Sequence, residues 1–180
     1  MARMDESVAT VLDPVERDRE RLAVTDFEAF FREHHERLFR ALWLLVHDRQ
    51  EAEEVSQEAF LRIWERWGRV SAGADPVAYL YRTSMNLWRS RLRRAKLAAR
   101  KVLSPQLGHD ELADVEGRDA VVRALATLPP RQRAAIVLVH VLDLTSERAA
   151  KVLAIRPVTV RVLAARARAT LANEIGVNDD

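Results

Sequence analysis

Nine Lys and Arg residues against one Asp lie between positions 68 and 101, giving this stretch a net charge of +8. Five of them, Arg82, Arg89, Arg91, Arg93 and Arg94, share a segment with Asn86, Tyr79, Tyr81 and Trp88. Guanidinium groups are planar forks suited to phosphate oxygens. An Asn amide can hydrogen-bond a base edge, and an aromatic face can stack an unpaired base. The chemistry these types suggest is a hold on a nucleic-acid backbone beside exposed bases. Aromatics at helical spacing also serve as core, so both roles are open for Tyr79, Tyr81 and Trp88.

A second basic cluster lies in LTSERAAKVLAIRPVTVRVLAARARATL, which has the dimensions of a helix-turn-helix. Val160, Ala164, Ala167 and Leu171 repeat at steps of 4, 3 and 4, the spacing of one buried helix face. In such a motif the second helix enters the major groove N-terminus first. Arg156, Val158, Thr159, Arg161 and Val162 are then the candidates for base edges, and Arg166 and Arg168 for phosphates. A small helical bundle with an incidental basic face would show the same pattern.

Residues 27–67 are instead acidic, with nine carboxylates against six cations. Glu53, Glu54, Gln57, Glu58 and Arg62 lie off the apolar stripe there. An acidic ridge beside a basic segment should face something other than DNA. No Ser/His/Asp set, paired carboxylates, phosphate loop or metal-ligand spacing stands out, so neither catalysis, a cofactor nor a metal is expected. Cys is absent, which excludes disulfides and thiolate sites and fits a reducing cytoplasm. No apolar run is long enough to cross a membrane, and the charged first 23 residues do not look like a secretory signal.

The elements that must position these groups read as helices throughout. Phe27, Phe30, Phe31, Leu38, Ala41, Leu42 and Leu45 mark one helix, with Thr25 or Asp26 placed to cap it. Asp48 starts a second helix with the stripe Ala52, Val55, Ala59, Phe60, Ile63, Trp64 and Trp67. A loop over 68–75 leads to a third helix, opened by Asp75 as cap and Pro76 in the first turn. Further on, helices are expected over 118–127, 131–142, 145–153 and 157–173. The expected organisation is all-α. A mobile extension (1–24) precedes a first domain (25–100), a flexible linker (101–117) and a second domain (118–175).

FEAFFREHHERLFRALWLL, EAEEVSQEAFLRIWERW, DPVAYLYRTSMNLWRSRLRR and LPPRQRAAIVL followed by a helix-turn-helix occur in this order. Together they resemble the extracytoplasmic-function sigma factors of the sigma-70 family. The resemblance implies a region 2-like and a region 4-like module, without region 3. It implies a transcription initiation factor in the cytoplasm that binds core RNA polymerase and recognises and opens promoter DNA. Glu53, Glu54, Gln57, Glu58 and Arg62 would dock on the clamp helices of the largest polymerase subunit. The C-terminal module would meet the flap region. Asn86 would take a base of the opened strand, with Trp88, Arg82, Arg89, Arg91, Arg93 and Arg94 around it. A cognate anti-sigma protein is a further expected partner.

Two other functions are compatible with the residues: a stand-alone helix-turn-helix regulator, and a sigma-like interaction protein. The C-terminal module departs from the family pattern. Ala154 stands where Gly is usual, Arg156 where a small cap is usual, and Leu163 where a cation is usual. Weaker DNA binding, altered specificity through thymine methyls, and burial of Val162 and Leu163 against a protein are all compatible with these changes.

Overall fold

The computed structural model describes residues 14–73, 75–101 and 116–175, and among these residues the secondary structure is helical without a strand. Helix α1 spans Pro14–Val46. It starts well before the expected cap, so Thr25 and Asp26 lie inside it and the extension is helical from position 14. Neither Gly nor Pro occurs between Val15 and Val46, so nothing in the chain halts helix propagation back to Pro14. Residues 1–13 lie outside the described set.

The α1 helix ends at His47, whose φ of 64° is left-handed and turns the chain. Asp48 then caps α2 (Arg49–Trp64), its Oδ1 accepting the Glu51 N–H at 2.7 Å, a contact that stabilises a helix end by about 1 kcal/mol. The loop expected over 68–75 is partly helical. Helix α3 (Trp67–Ser71) forms there because Trp67 and Val70, three residues apart, both reach the core. Asp75 Oδ1 accepts the Ala78 N–H at 2.8 Å and opens α4 (Pro76–Lys101), as its sequence suggests.

The first module is thus α1, α2, α3 and α4 around Leu38, Leu42, Leu45, Val55, Ile63, Leu80 and Met85. At one end, Phe27 lies 4.9 Å from Trp64 and 5.3 Å from Trp67, ring centre to ring centre. Trp64 is nevertheless 40% exposed, so it edges the core rather than filling it.

In the second module α5 (Glu116–Thr127) leads to α6 (Pro130–Ile136), and the chain then widens into a π-helical turn over Val137–Val141. The Leu142 N–H reaches Val137 O at 3.1 Å, one residue further back than in an α-helix. That extra residue brings Val137, Leu138 and Leu142 all into the core. Thr145 caps α7 (Ser146–Leu153) by accepting the Arg148 N–H. Ala154, with φ 53°, makes the turn into α8 (Pro157–Ile175).

The two modules share a buried cluster, with α7 packed on α4 and the π turn on α1. Polar ties cross between them. Arg133 donates to Leu45 O at 2.8 Å, and Arg89 to Leu153 O at 3.1 Å. Arg37 pairs with Asp143 and Arg148 with Asp75, both at 2.7 Å. Most of the linker expected over 101–117 lies outside the described residues.

Candidate nucleic-acid and protein interfaces

Helix α2 buries Ala52, Val55, Ala59, Phe60 and Ile63, which turns Glu53, Glu54 and Gln57 to water and leaves Glu58 half-buried. This ridge is tied to α4. Arg91 Nη1 donates to Glu54 at 2.8 Å and Nη2 to Glu58 at 3.3 Å, while Arg62 donates to Glu58 at 2.6 Å. The hydrogen bond from Arg91, then that from Gln50, holds the Glu54 carboxyl below its usual pKa. Leu61 is 57% exposed in the middle of the same ridge, four residues after Gln57. Sequence reasoning passed over Leu61. The signal was present, because Leu61 is apolar yet off the stripe of Val55, Ala59 and Ile63.

On α4, Tyr79, Arg82, Asn86, Arg89 and Arg93 recur at steps of three and four and share one face. Arg82, Asn86 and Arg93 are exposed on it, and so is Arg94 toward its edge. The Tyr79 hydroxyl accepts from Arg66 at 3.3 Å. Three expected members of the set stand elsewhere. Trp88 is 5% exposed and Tyr81 is buried, so both are core residues and the stacking platform expected at Trp88 is corrected. The helix turns these two rings inward, on the side that also buries Ser84 and Met85. Arg91 points toward α2 and pairs with Glu54 and Glu58 rather than standing on the exposed face with Arg82 and Asn86. Arg89 is half-buried, and desolvation, followed by repulsion from Arg131 and Arg93, lowers its pKa. Positive charge is therefore concentrated around Arg89.

In the helix-turn-helix, Arg156, Val158, Thr159, Arg161, Val162, Arg166 and Arg168 are all exposed, as their spacing suggests. Arg161 reaches Glu147 of α7 at 3.3 Å. Leu163 does not join them. It packs partly against the core and lines a cleft of about 780 Å³ between α4 and α7–α8, with Trp88, Arg89, Arg93, Lys96, Arg131 and Thr159. The missing family cation at position 163 is thus a cleft residue here. Ala154 takes the left-handed geometry that explains why Gly is usual at its position.

Residues 30–98 match the family described as Sigma-70 region 2, and residues 118–171 match Sigma-70, region 4. The ECF RNA polymerase sigma factor SigM of Mycobacterium tuberculosis is 35% identical over 151 residues, covering 83% of this chain and 77% of that protein. The chain belongs to the extracytoplasmic-function sigma factors. The RNA polymerase sigma-E factor of Streptomyces coelicolor is 30% identical, covering 87% of this chain and 89% of that protein. Among solved structures, the sigma factor RpoE in complex with the anti-sigma factor NepR from Bartonella quintana superposes with a TM-score of 0.73 at 21% identity, covering 86% of this chain and 99% of that one. CnrH in complex with the cytosolic domain of CnrY gives 0.59 at 22%, covering 85% and 89%. At these identities the two structures speak for the fold of this sigma factor. Among the described residues no helix is long and apolar enough to cross a membrane, and no group of side chains is arranged to hold a metal ion.

Proposed function

We propose that this sigma factor joins core RNA polymerase and directs it to promoters, with a different surface for each task. The observation that carries the proposal is that both modules occur in family order, with Glu53, Glu54, Gln57, Arg82, Asn86, Arg156 and Arg161 exposed. Glu53, Glu54, Gln57, Glu58 and Arg62 dock on the clamp helices of the largest subunit, with Leu61 as the apolar centre of the contact. Desolvated centres ringed by polar groups carry most interface energy. The second module meets the flap region. Asn86 takes a base of the opened strand, while Arg82, Arg93 and Arg94 bind its backbone, joined by Arg89 once it leaves Leu153. Arg156, Val158, Thr159, Arg161 and Val162 face bases of the upstream duplex, and Arg166 and Arg168 face its phosphates.

The factor itself catalyses nothing; bond formation belongs to the polymerase. Its work lies in the cytoplasm, where polymerase and chromosome meet. An anti-sigma protein restrains it, and the cleft with Arg89, Arg93, Lys96 and Arg131 suits an acidic helix of such a partner. Run-off transcription with core RNA polymerase and genomic promoter fragments tests the proposal. Discrete transcripts should require the chain, and Leu61→Ala should weaken core binding about tenfold without lowering thermal stability. Transcripts that do not depend on the chain, or no core binding, would overturn it.

A further inference from the structure

Along α8 the inward line is Val160, Ala164 and Ala167, all buried. A surface helix ordinarily sets polar residues opposite such a line. Here the opposite line is apolar as well: Val158, Val162, Ala165 and Ala169, at successive steps of four, three and four, all exposed. Val158 is 53% exposed and Val162 43%. Helical spacing puts Arg161 and Arg168 along one flank of this line, and Thr159 and Arg166 along the other. A helix apolar on both faces is normally covered on both.

The cross-section of the outer face runs cation, apolar, cation. Its complement carries negative charge on two sides of a floor with apolar points. The major groove of a duplex has that form. It is about 12 Å wide, walled by phosphates on both strands, and each thymine places a 5-methyl group on its floor. An α-helix with its side chains is about 10–12 Å across and fills it. Val158 and Val162 sit in the N-terminal half, where a recognition helix meets bases. Ala165 and Ala169 are small, so the rest of the helix can lie close as it rises out of the groove.

We infer that Val158 and Val162 form a thymine-reading site, each packing on the 5-methyl group of a thymine in the upstream duplex. The inference rests on the proposed role of α8 as a duplex-binding helix and adds what it reads. Arg161, Arg166 and Arg168 hold the groove walls, and the valines discriminate thymine by contact rather than by hydrogen bonds.

The test uses a duplex enriched from a library of random ten-base-pair blocks by the full chain bound to core polymerase. Each thymine of that duplex is replaced in turn by uracil, which removes the 5-methyl group and leaves base pairing intact. Competition binding should then weaken about fourfold at one or two positions, the size expected for losing one buried methyl contact. Val158→Ser and Val162→Ser should each abolish the penalty at one position while leaving the melting temperature unchanged. A uracil penalty that survives both substitutions overturns the inference. So does its absence at every thymine of a duplex whose binding still falls on Arg161→Ala or Arg166→Ala. If those arginine substitutions also leave binding unchanged, the duplex-binding role of α8 fails together with it. Loss of core-polymerase binding by the Ser variants, with the penalty intact, would assign the stripe to a protein partner and overturn the inference as well.

Discussion

Helices α4 and α8 both carry several arginines, yet they present opposite surfaces to water. The exposed face of α4 is polar, with Arg82, Asn86 and Arg93 in line, and its aromatic residues Tyr81 and Trp88 are turned into the core. The outermost line of α8 is apolar and its cations stand to either side. The difference suits the two kinds of work proposed for these helices. Holding an unpaired strand needs hydrogen bonds and charge where no partner strand supplies them. Reading a closed duplex can use shape and methyl contacts, because the bases remain paired. On the inference above, the apolar line of Val158 and Val162 suits α8 to a duplex rather than unfitting it.

The largest effect that sharpens this comparison comes from Trp88. If it is core, Trp88→Ala should cost about 3–5 kcal/mol of stability, seen as a large drop in thermal melting temperature. Val162→Ala, an exposed change on the other helix, should stay within about 0.5 kcal/mol. A Trp88→Ala protein that melts normally and fails only to open DNA would return that ring to the α4 surface.

Next in size is a pH effect at the end of α1. Both ring nitrogens of His47 are buried without a hydrogen-bond partner. Burial, and then the nearby Arg133 charge, lowers its pKa to about 4. The unfolded chain binds a proton near pH 6.5 that the folded chain refuses, so stability is lost as pH falls from about 6.5 toward 4. The loss should be about 1–2 kcal/mol, allowing for solvent around this partly exposed ring. Asn accepts the left-handed backbone and does not titrate, so His47→Asn should flatten this part of the melting-temperature profile. An unchanged profile would remove His47 as the cause.

A smaller, opposite effect belongs to the second module. Ala154 holds a φ of 53° with a Cβ that disfavours it. Ala154→Gly should stabilise the protein by about 1 kcal/mol, raising the melting temperature by about 2–4 °C. Smallest of all, Arg148→Ala breaks an exposed pair with Asp75 between the modules and should cost no more than about 0.5 kcal/mol. A much larger loss from that change would mean that the modules depend on this tie.

What the sequence made legible was local. Asp48 and Asp75 cap helices through hydrogen bonds to residues three positions on, so the chain itself announces them. The core stripe of α8 and the exposure of Arg156, Val158 and Arg161 follow from spacing in the same way. What escaped depends on packing between helices. Arg91 reads as one more cation in a basic run until α2 is seen to bring Glu54 and Glu58 within 2.8 and 3.3 Å. Leu163 reads as a lost DNA contact until α4 is seen to form the other wall of its cleft. Trp64 fits a core stripe by period and still stands partly in water, because nothing among the described residues covers its outer edge. The start of α1 escaped for another reason: a plausible cap at Thr25 or Asp26 does not stop a helix when the residues before it continue the helix equally well.

Permanganate probing of thymines in a promoter fragment bound by the chain and core polymerase separates the two faces most directly. The division of labour predicts that Asn86→Ala leaves the complex bound but removes the reactivity of unpaired thymines. It predicts that Arg161→Ala combined with Arg166→Ala loses the complex itself. Full reactivity with Asn86→Ala, or normal binding by the double arginine variant, would contradict the account.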